Sequence, residues 1–309
     1  MDPSMVVLEF VNVTKSYGKV IALRNASLSL PRGVLAGLLG PNGAGKTTTL
    51  KLAAGLLRRD SGFIQVLGAD PWANPVEVKS RIGLLHERPL YPSGVGVREL
   101  LRFLSKLRGY GEEEVLRVAR LVGLEDYLDR RVNHLSRGYL QRLGLAQALI
   151  GDPELLLLDE PTANLDPLAR REILSLISTL KRDLGVTIVV SSHIVPELQE
   201  VCDYAVFISQ GTVVAQGTLA ELGRAFLVES KYRIESPRPR ELASKLVRED
   251  FVLGVELGDG WVTVRIRSGS SDDLLRFLEN LAPRGLVAKV EHVSSDLGDL
   301  YAKTVGSSS

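Results

Sequence analysis

The stretch Val34-Leu35-Ala36-Gly37-Leu38-Leu39-Gly40-Pro41-Asn42-Gly43-Ala44-Gly45-Lys46-Thr47-Thr48 decides the fold. An apolar run that reads as a strand ends in the complete G-x-x-x-x-G-K-T spacing, and a helical pattern follows. The strand is a rigid stem. The glycines let the backbone N–H groups between Asn42 and Thr48 curl around phosphate oxygens, and the helix starting near Gly45 aims its positive end at the same anion. Lys46 then reaches the outer phosphates, and Thr47 offers a hydroxyl to Mg²⁺. The competing reading is a glycine turn before a helix with an incidental lysine.

A second run, Leu155-Leu156-Leu157-Leu158-Asp159-Glu160, reads as a strand buried on both faces that ends in two carboxylates. Asp159 suits a hard cation, and Glu160 stands where a base could orient or deprotonate an attacking water. Taken alone, the same pair could simply cap a following helix. The third signal is Leu135-Ser136-Arg137-Gly138-Tyr139, placed just before a helical run through Leu140, Leu143, Ala146 and Leu149.

Here the residues resemble the ATP-binding cassette (ABC) family, whose signature is typically LSGGQ. Its other elements fall in order over about residues 8–223. Tyr17 resembles the aromatic that stacks on adenine, and Glu87 stands where the family usually has its Q-loop glutamine. Ala163-Asn164-Leu165-Asp166 resembles the D-loop, and His193 resembles the switch histidine. The resemblance implies an ATPase. Its nucleotide would be held by Tyr17, Asn42, Gly43, Ala44, Gly45, Lys46, Thr47 and Thr48, with Mg²⁺ on Thr47, Asp159 and Glu87. Catalysis would rest on Glu160, His193 and Lys46. Ser136 and Gly138 would serve the ATP of a partner subunit, so that two chains arranged head to tail sandwich two nucleotides, with Asp166 at the seam. Blander readings stand beside these: Ser136 as a plain helix cap, Tyr17 as an aromatic packed under a loop, His193 as a satisfied polar group and Glu87 as an exposed loop residue. Two departures are plain. Arg137 replaces the signature's first glycine, where it would add charge near the phosphates or sit on the rim, and Tyr139 replaces the glutamine.

Composition narrows the setting. The 309 residues carry 38 Lys plus Arg against 37 Asp plus Glu, so no charge excess pulls the chain toward nucleic acid. The single cysteine, Cys202, cannot form an internal disulfide, which fits a reducing cytoplasm, and it reads as a small buried hydrophobe. No apolar run approaches a membrane span. The resemblance therefore implies a separate integral membrane permease, with this chain cytoplasmic and peripheral on the cytoplasmic face of the cell membrane.

Strand-like runs at 6–13, 28–30, 34–39, 63–67, 81–85, 155–159, 186–191 and 204–209 alternate later with helical patterns and predict a mainly parallel sheet covered by helices. A helical insert is expected at about 97–134, with Leu100, Leu101, Leu104 and Leu107 on one apolar face and Val115, Val118, Ala119 and Val122 on another. The texture changes near Phe226. Beyond it a β-α-β-β-α-β order, with a hairpin at Gly258-Asp259-Gly260, predicts a ferredoxin-like α+β domain. The expected fold is thus an α/β P-loop NTPase of ABC type over 1–226 and a small accessory domain over 227–309. The run Asp296-Leu297-Gly298-Asp299-Leu300-Tyr301 resembles the tail of ATPase subunits of ABC-2-type exporters. An importer ATPase, a soluble non-transport ABC ATPase and a nucleotide sensor that does not hydrolyse are the rival readings. The sensor would not need Lys46, Asp159, Glu160 and His193 together.

Overall fold

The structure is a computed structural model that describes residues 6–92, 94–225, 230–267 and 270–293. The run at 296–301, the residues at 226–229 and both chain ends lie outside the described residues. In chain order the first elements are β1 (Val6–Tyr17), β2 (Val20–Pro31), β3 (Leu35–Leu39), α1 (Lys46–Ala53), β4 (Ser61–Val66), α2 (Pro75–Arg81) and β5 (Ile82–Leu85). The helical stretch follows with α3 (Val97–Leu107), α4 (Glu112–Val122) and α5 (Arg137–Leu149). The remainder of the larger unit is β6 (Leu155–Asp159), α6 (Pro167–Leu184), β7 (Thr187–Ser192), α7 (Val195–Gln199), β8 (Tyr204–Ser209) and β9 (Thr212–Thr218).

A six-stranded sheet of order β5-β6-β7-β3-β8-β9 forms the frame. The pairs β5–β6, β6–β7, β7–β3 and β3–β8 are all parallel. Every residue of β3, β6, β7 and β8 is buried, as strands covered on both faces must be. The runs at 6–13, 28–30 and 63–67 do not join this sheet. They form a separate antiparallel sheet of order β2-β1-β4, and the physical reason is visible in β2, whose second half alternates buried side chains with exposed or half-buried ones. A strand that faces solvent on one side suits antiparallel pairing.

The helical insert is present as α3, α4 and two 3₁₀ turns, Glu125–Tyr127 and Val132–His134. Val115, Val118, Ala119 and Val122 are fully buried as expected, whereas of the four α3 leucines only Leu100 and Leu101 are buried and Leu107 is 69% exposed. The apolar face of α3 is therefore only half covered within the chain. Glu112 ties the two helices by accepting from Arg102 Nε at 2.7 Å and Arg98 Nη1 at 2.8 Å. Those two guanidinium bonds, Arg102 first, hold its carboxyl down at about 2.

Contacts divide the chain into Met1–Gln216 and Gly217–Ser309, a boundary upstream of Phe226. The hydrogen bonds show why. Gln216 Oε1 still accepts from the Ser29 N–H at 2.9 Å, while Thr218 pairs forward with Glu221, its N–H donating to Oε2 at 2.8 Å. The second unit carries α8 (Leu219–Ala225), β10 (Ser230–Glu235), α9 (Pro239–Leu246), β11 (Val252–Leu257), β12 (Trp261–Ile266), α10 (Ser271–Leu281) and β13 (Lys289–Val293). Its antiparallel sheet has the order β11-β12-β10-β13, the ferredoxin-like arrangement that the element order predicts. The Gly258–Gly260 turn is closed by the Gly258 N–H on the Trp261 carbonyl at 2.9 Å. A small core of Ile234, Leu242, Leu246, Val262, Val264, Leu274 and Leu278 holds this unit.

Leu242 is fully buried in that core. Leu242→Ala is expected to cost about 2–5 kcal/mol. The measurement is urea unfolding followed by Trp261 emission in a Trp72→Phe background, since the chain has 2 tryptophans. An unchanged midpoint would show that Leu242 does not help to hold the small core.

Candidate active site

Three neighbouring parallel strands, β6, β7 and β3, end at the same edge of the sheet, with Asp159 in register with Ser191 and Leu39 with Ser192. This convergence gathers the sequence motifs, because the carboxyl ends of parallel strands open onto a common crevice. The loop after β3 enters α1 through Gly45, whose φ is 109° and whose missing Cβ would lie 2.6 Å from the Ala22 carbonyl oxygen. Only glycine fits there. The loop is stapled from behind, since Gly211 N–H donates to the Ala44 carbonyl at 3.0 Å and Arg24 N–H to the Gly211 carbonyl at 2.8 Å.

Lys46 is 6% exposed, and its Nζ donates to the Gly40 carbonyl at 2.8 Å and the Pro41 carbonyl at 3.3 Å. Glu160 Oε1 lies 3.4 Å from the same nitrogen. Glu160 is itself 8% exposed, sits at a φ of 47° and meets His193 Nδ1 through Oε2 at 3.0 Å. Lys46, Glu160 and His193 thus form one contiguous group. The helix-cap alternative for Glu160 is not what the chain does: the next helix starts at Pro167 and is capped by Asp166, whose Oδ1 accepts from Leu168 and Ala169 N–H at 3.0 Å each.

Ser191 was not singled out in the sequence, yet it links the Asp159 carboxylate to the backbone of Glu160. Its hydroxyl donates to Asp159 Oδ1 at 2.7 Å and accepts from the Glu160 N–H at 2.8 Å. Thr47 donates to the same Asp159 oxygen at 3.1 Å. A polar residue directly after the apolar run Ile188-Val189-Val190, two positions before His193, was the available signal.

A cavity of about 590 Å³ lies over this group. Asn42, Gly43, Gly45, Lys46, Thr47, Thr48, Glu87, Glu160 and His193 all line it. So do Val20, Ile21, Asn164 and Arg170, which sequence reading did not place there. Tyr17 is not among the lining residues. It stands 47% exposed at the end of β1, paired in register with Val20, with Lys15 Nζ 5.6 Å from its ring centroid. Ala44 is buried behind the loop, its N–H donating to the Pro41 carbonyl at 3.1 Å. Ser136 and Gly138 line a different cavity of about 530 Å³, together with Arg137, Tyr139 and Asp166. There the Ser136 hydroxyl accepts from the Tyr139 N–H at 3.4 Å, so its capping role is present.

The oxygens of Thr47 and Asp159, with Glu87 on the wall of the same cavity, suit Mg²⁺, which takes few protein ligands and fills its shell with water and phosphate oxygens. Among the described residues no group of three His, Cys, Asp or Glu side chains could hold a metal without such help. The arrangement offers a cradle of backbone donors, one buried ammonium and a carboxylate paired with an imidazole, which are the parts phosphoryl transfer to water requires.

The ABC transporter domain family matches residues 23–163. The bacitracin transport ATP-binding protein BcrA of Enterococcus faecalis is 31% identical to this chain over 98% of both lengths. This chain belongs to the ABC transporter ATP-binding family. The lantibiotic transport ATP-binding protein SrtF of Streptococcus pyogenes is 36% identical over 68% of this chain and 90% of its own. A solved ATP-binding subunit of an ABC transporter superposes with a TM-score of 0.64 at 30% identity, covering 71% of this chain and 93% of that one. The protein is accordingly an ABC ATPase subunit, binding and hydrolysing ATP to drive transport through a membrane permease. Among the described residues no helix is long and apolar enough to cross a membrane.

Ser191→Ala removes the hydroxyl between Asp159 and Glu160 and leaves a buried N–H without its acceptor, a loss of about 1–3 kcal/mol. Steady-state ATPase assays should show kcat lowered about tenfold or more. Full activity in this variant would mean that the link does not position Glu160.

Proposed function

We propose that two copies of this chain close head to tail around two ATP molecules with Mg²⁺, and that the cycle powers an export permease. The observation carrying this reading is the separation of the two anion-binding ends. The P-loop and the Ser136 helix start face different cavities, with the turn from Ala163 to Asp166 between them, so completing the second contact to a nucleotide needs another copy.

In this reading the backbone N–H groups of Asn42 to Thr48 hold the phosphates and Lys46 neutralises their outer charge. Thr47, Asp159 and Glu87 would hold Mg²⁺, which when bound screens the phosphate oxygens. Glu160 takes the proton of the attacking water, and His193 holds Glu160 and the terminal phosphate in line. Tyr17, paired in register with Val20 of the cavity wall, would offer its face to adenine. Ser136 and Gly138 present the start of α5 to the partner's ATP.

The half-covered face of α3 suggests where the permease docks. Leu104 and Leu107 line a groove of about 300 Å³ with Leu56, Ile82, Leu84 and Ile150, and Leu90 is almost fully exposed in the loop after Glu87. Docking there would keep the chain peripheral on the cytoplasmic face. Export is favoured because BcrA and SrtF are named for transport of bacitracin and lantibiotic, and the BcrA match extends through the C-terminal unit. We take that unit, from Gly217 onward, as an accessory domain.

Glu160→Gln should bind ATP without hydrolysing it and shift from monomer to dimer in sedimentation velocity when ATP and Mg²⁺ are added, while EDTA abolishes wild-type turnover. Wild type that hydrolyses at full rate as a strict monomer would overturn the proposal. For the groove, Leu107→Asp should reduce co-purification of a membrane subunit from detergent extracts several-fold; undiminished recovery would place the permease elsewhere.

A further inference from the structure

The residue that departs most from the family signature is not free in this chain. Arg137, exposed at the first position of α5, donates from Nη1 to the carbonyl oxygen of Asn164 at 3.2 Å. The next carbonyl, that of Leu165, accepts from Arg170 Nη2 at 3.3 Å. Two guanidinium groups from two different helices therefore grip consecutive carbonyls of one turn.

That turn begins at the catalytic carboxylate. Glu160 and Asn164 both have left-handed backbones, with φ of 47° and 60°. Glutamate in this region is strained, and such a conformation persists only where surrounding contacts over-determine it. The contacts are few. Ala163 N–H reaches the Glu160 carbonyl at 3.0 Å and Leu165 N–H the Thr162 carbonyl at 3.4 Å, and side chains supply the rest. Arg170 pairs with Glu197 on α7, and Glu197 also accepts from the Thr162 hydroxyl at 3.1 Å. Glu197 lies four residues beyond His193, so one set of bonds joins the start of α5, the Glu160–Asp166 turn and the segment that carries His193.

We propose that Arg137 is a positioning residue for hydrolysis: by holding the Asn164 carbonyl it fixes the turn that sets Glu160 beside His193 in its own chain. A glycine at this position has no side chain to make that bond. The guanidinium suits the task because a fork of donors can hold a carbonyl while its stem lies along the helix. Its effect falls on the chemical step of the same subunit and not on the partner's phosphates. This inference rests on the role given to Glu160 above, and it does not require the sandwich dimer.

The test compares ATP turnover by the full chain for wild type, Arg137→Met and Arg137→Lys. Thr162→Val and its double variant with Arg137→Met complete the set, and thermal unfolding checks that all remain folded. Arg137→Met should lower kcat about fivefold to tenfold with KM for ATP held within about twofold, the loss expected for one charge-assisted bond. Arg137→Lys, which keeps one N–H for the carbonyl, should restore at least half of kcat. The double variant should lose less than the product of the two single losses, since both act on one turn. An unchanged kcat in Arg137→Met overturns the proposal, as does a multiplicative double variant. A raised KM with kcat intact would also overturn it, by assigning Arg137 to nucleotide binding. ATP-dependent dimerisation of Glu160→Gln is measured separately: its failure sinks the sandwich and leaves the kcat comparison to decide on Arg137.

Discussion

A lysine ammonium withdrawn from water must be surrounded by oxygens, and the position of Lys46 imposes that demand at the centre of this molecule. Its partners are the Gly40 and Pro41 carbonyls and the Glu160 carboxylate. Each needs a different piece of chain to arrive at one point. Gly40 comes from the end of β3, Glu160 from the end of β6, and His193, which meets Glu160, from just beyond β7. Only a sheet in which β6, β7 and β3 lie side by side and parallel delivers all three, and the observed order does so. The apolar middles of those strands follow, because their side chains are covered on both faces, and polar residues such as Asp159 and Ser191 stand where the ends meet.

The parts of this arrangement that could be read from the sequence are those governed by local chemistry. The G-x-x-x-x-G-K-T spacing fixes loop and helix start together, since Gly45 must adopt a backbone closed to other residues. Leu155 to Leu158 declare a doubly covered strand by having no polar position. The C-terminal unit was readable for a similar reason: its short alternating strands and Gly258-Asp259-Gly260 turn define pairings that the sheet order β11-β12-β10-β13 reproduces.

What could not be read depends on partners distant in sequence. The strand β2 hides most of its length because Arg24 and Asn25 interrupt the apolar pattern, and Asn25 takes a left-handed backbone beside a shift in register with β1. The separation of β1, β2 and β4 into their own sheet is a tertiary fact with no marker in any one run. Ser191 looks like an ordinary strand end until Asp159 and Glu160 are placed beside it. Arg170 and Glu197 belong to helices whose polar faces resemble any solvated surface, and only their pairing shows a purpose. The face of α3 is the reverse case: Leu107 has the spacing of a core residue but is left in the open, because periodicity marks an apolar face without saying what covers it.

The bonds around Lys46 also bear on how the proposed site would receive phosphate. Carbonyl and carboxylate oxygens surround Nζ, so the buried charge finds its partners within the chain. Phosphate oxygens are acceptors of the same kind with more charge, and a triphosphate bound as proposed would compete with Glu160 for the ammonium. Glu160 is also held by His193 and, through its own N–H, by Ser191, so a carboxylate released from Lys46 would still have two anchors. In the proposed reading, nucleotide binding and the release of Glu160 as a base would be two sides of a single exchange at Lys46. The tethers on the Glu160–Asp166 turn matter for the same reason, since a left-handed residue that loses one ionic partner stays in place only if the backbone beyond it is held.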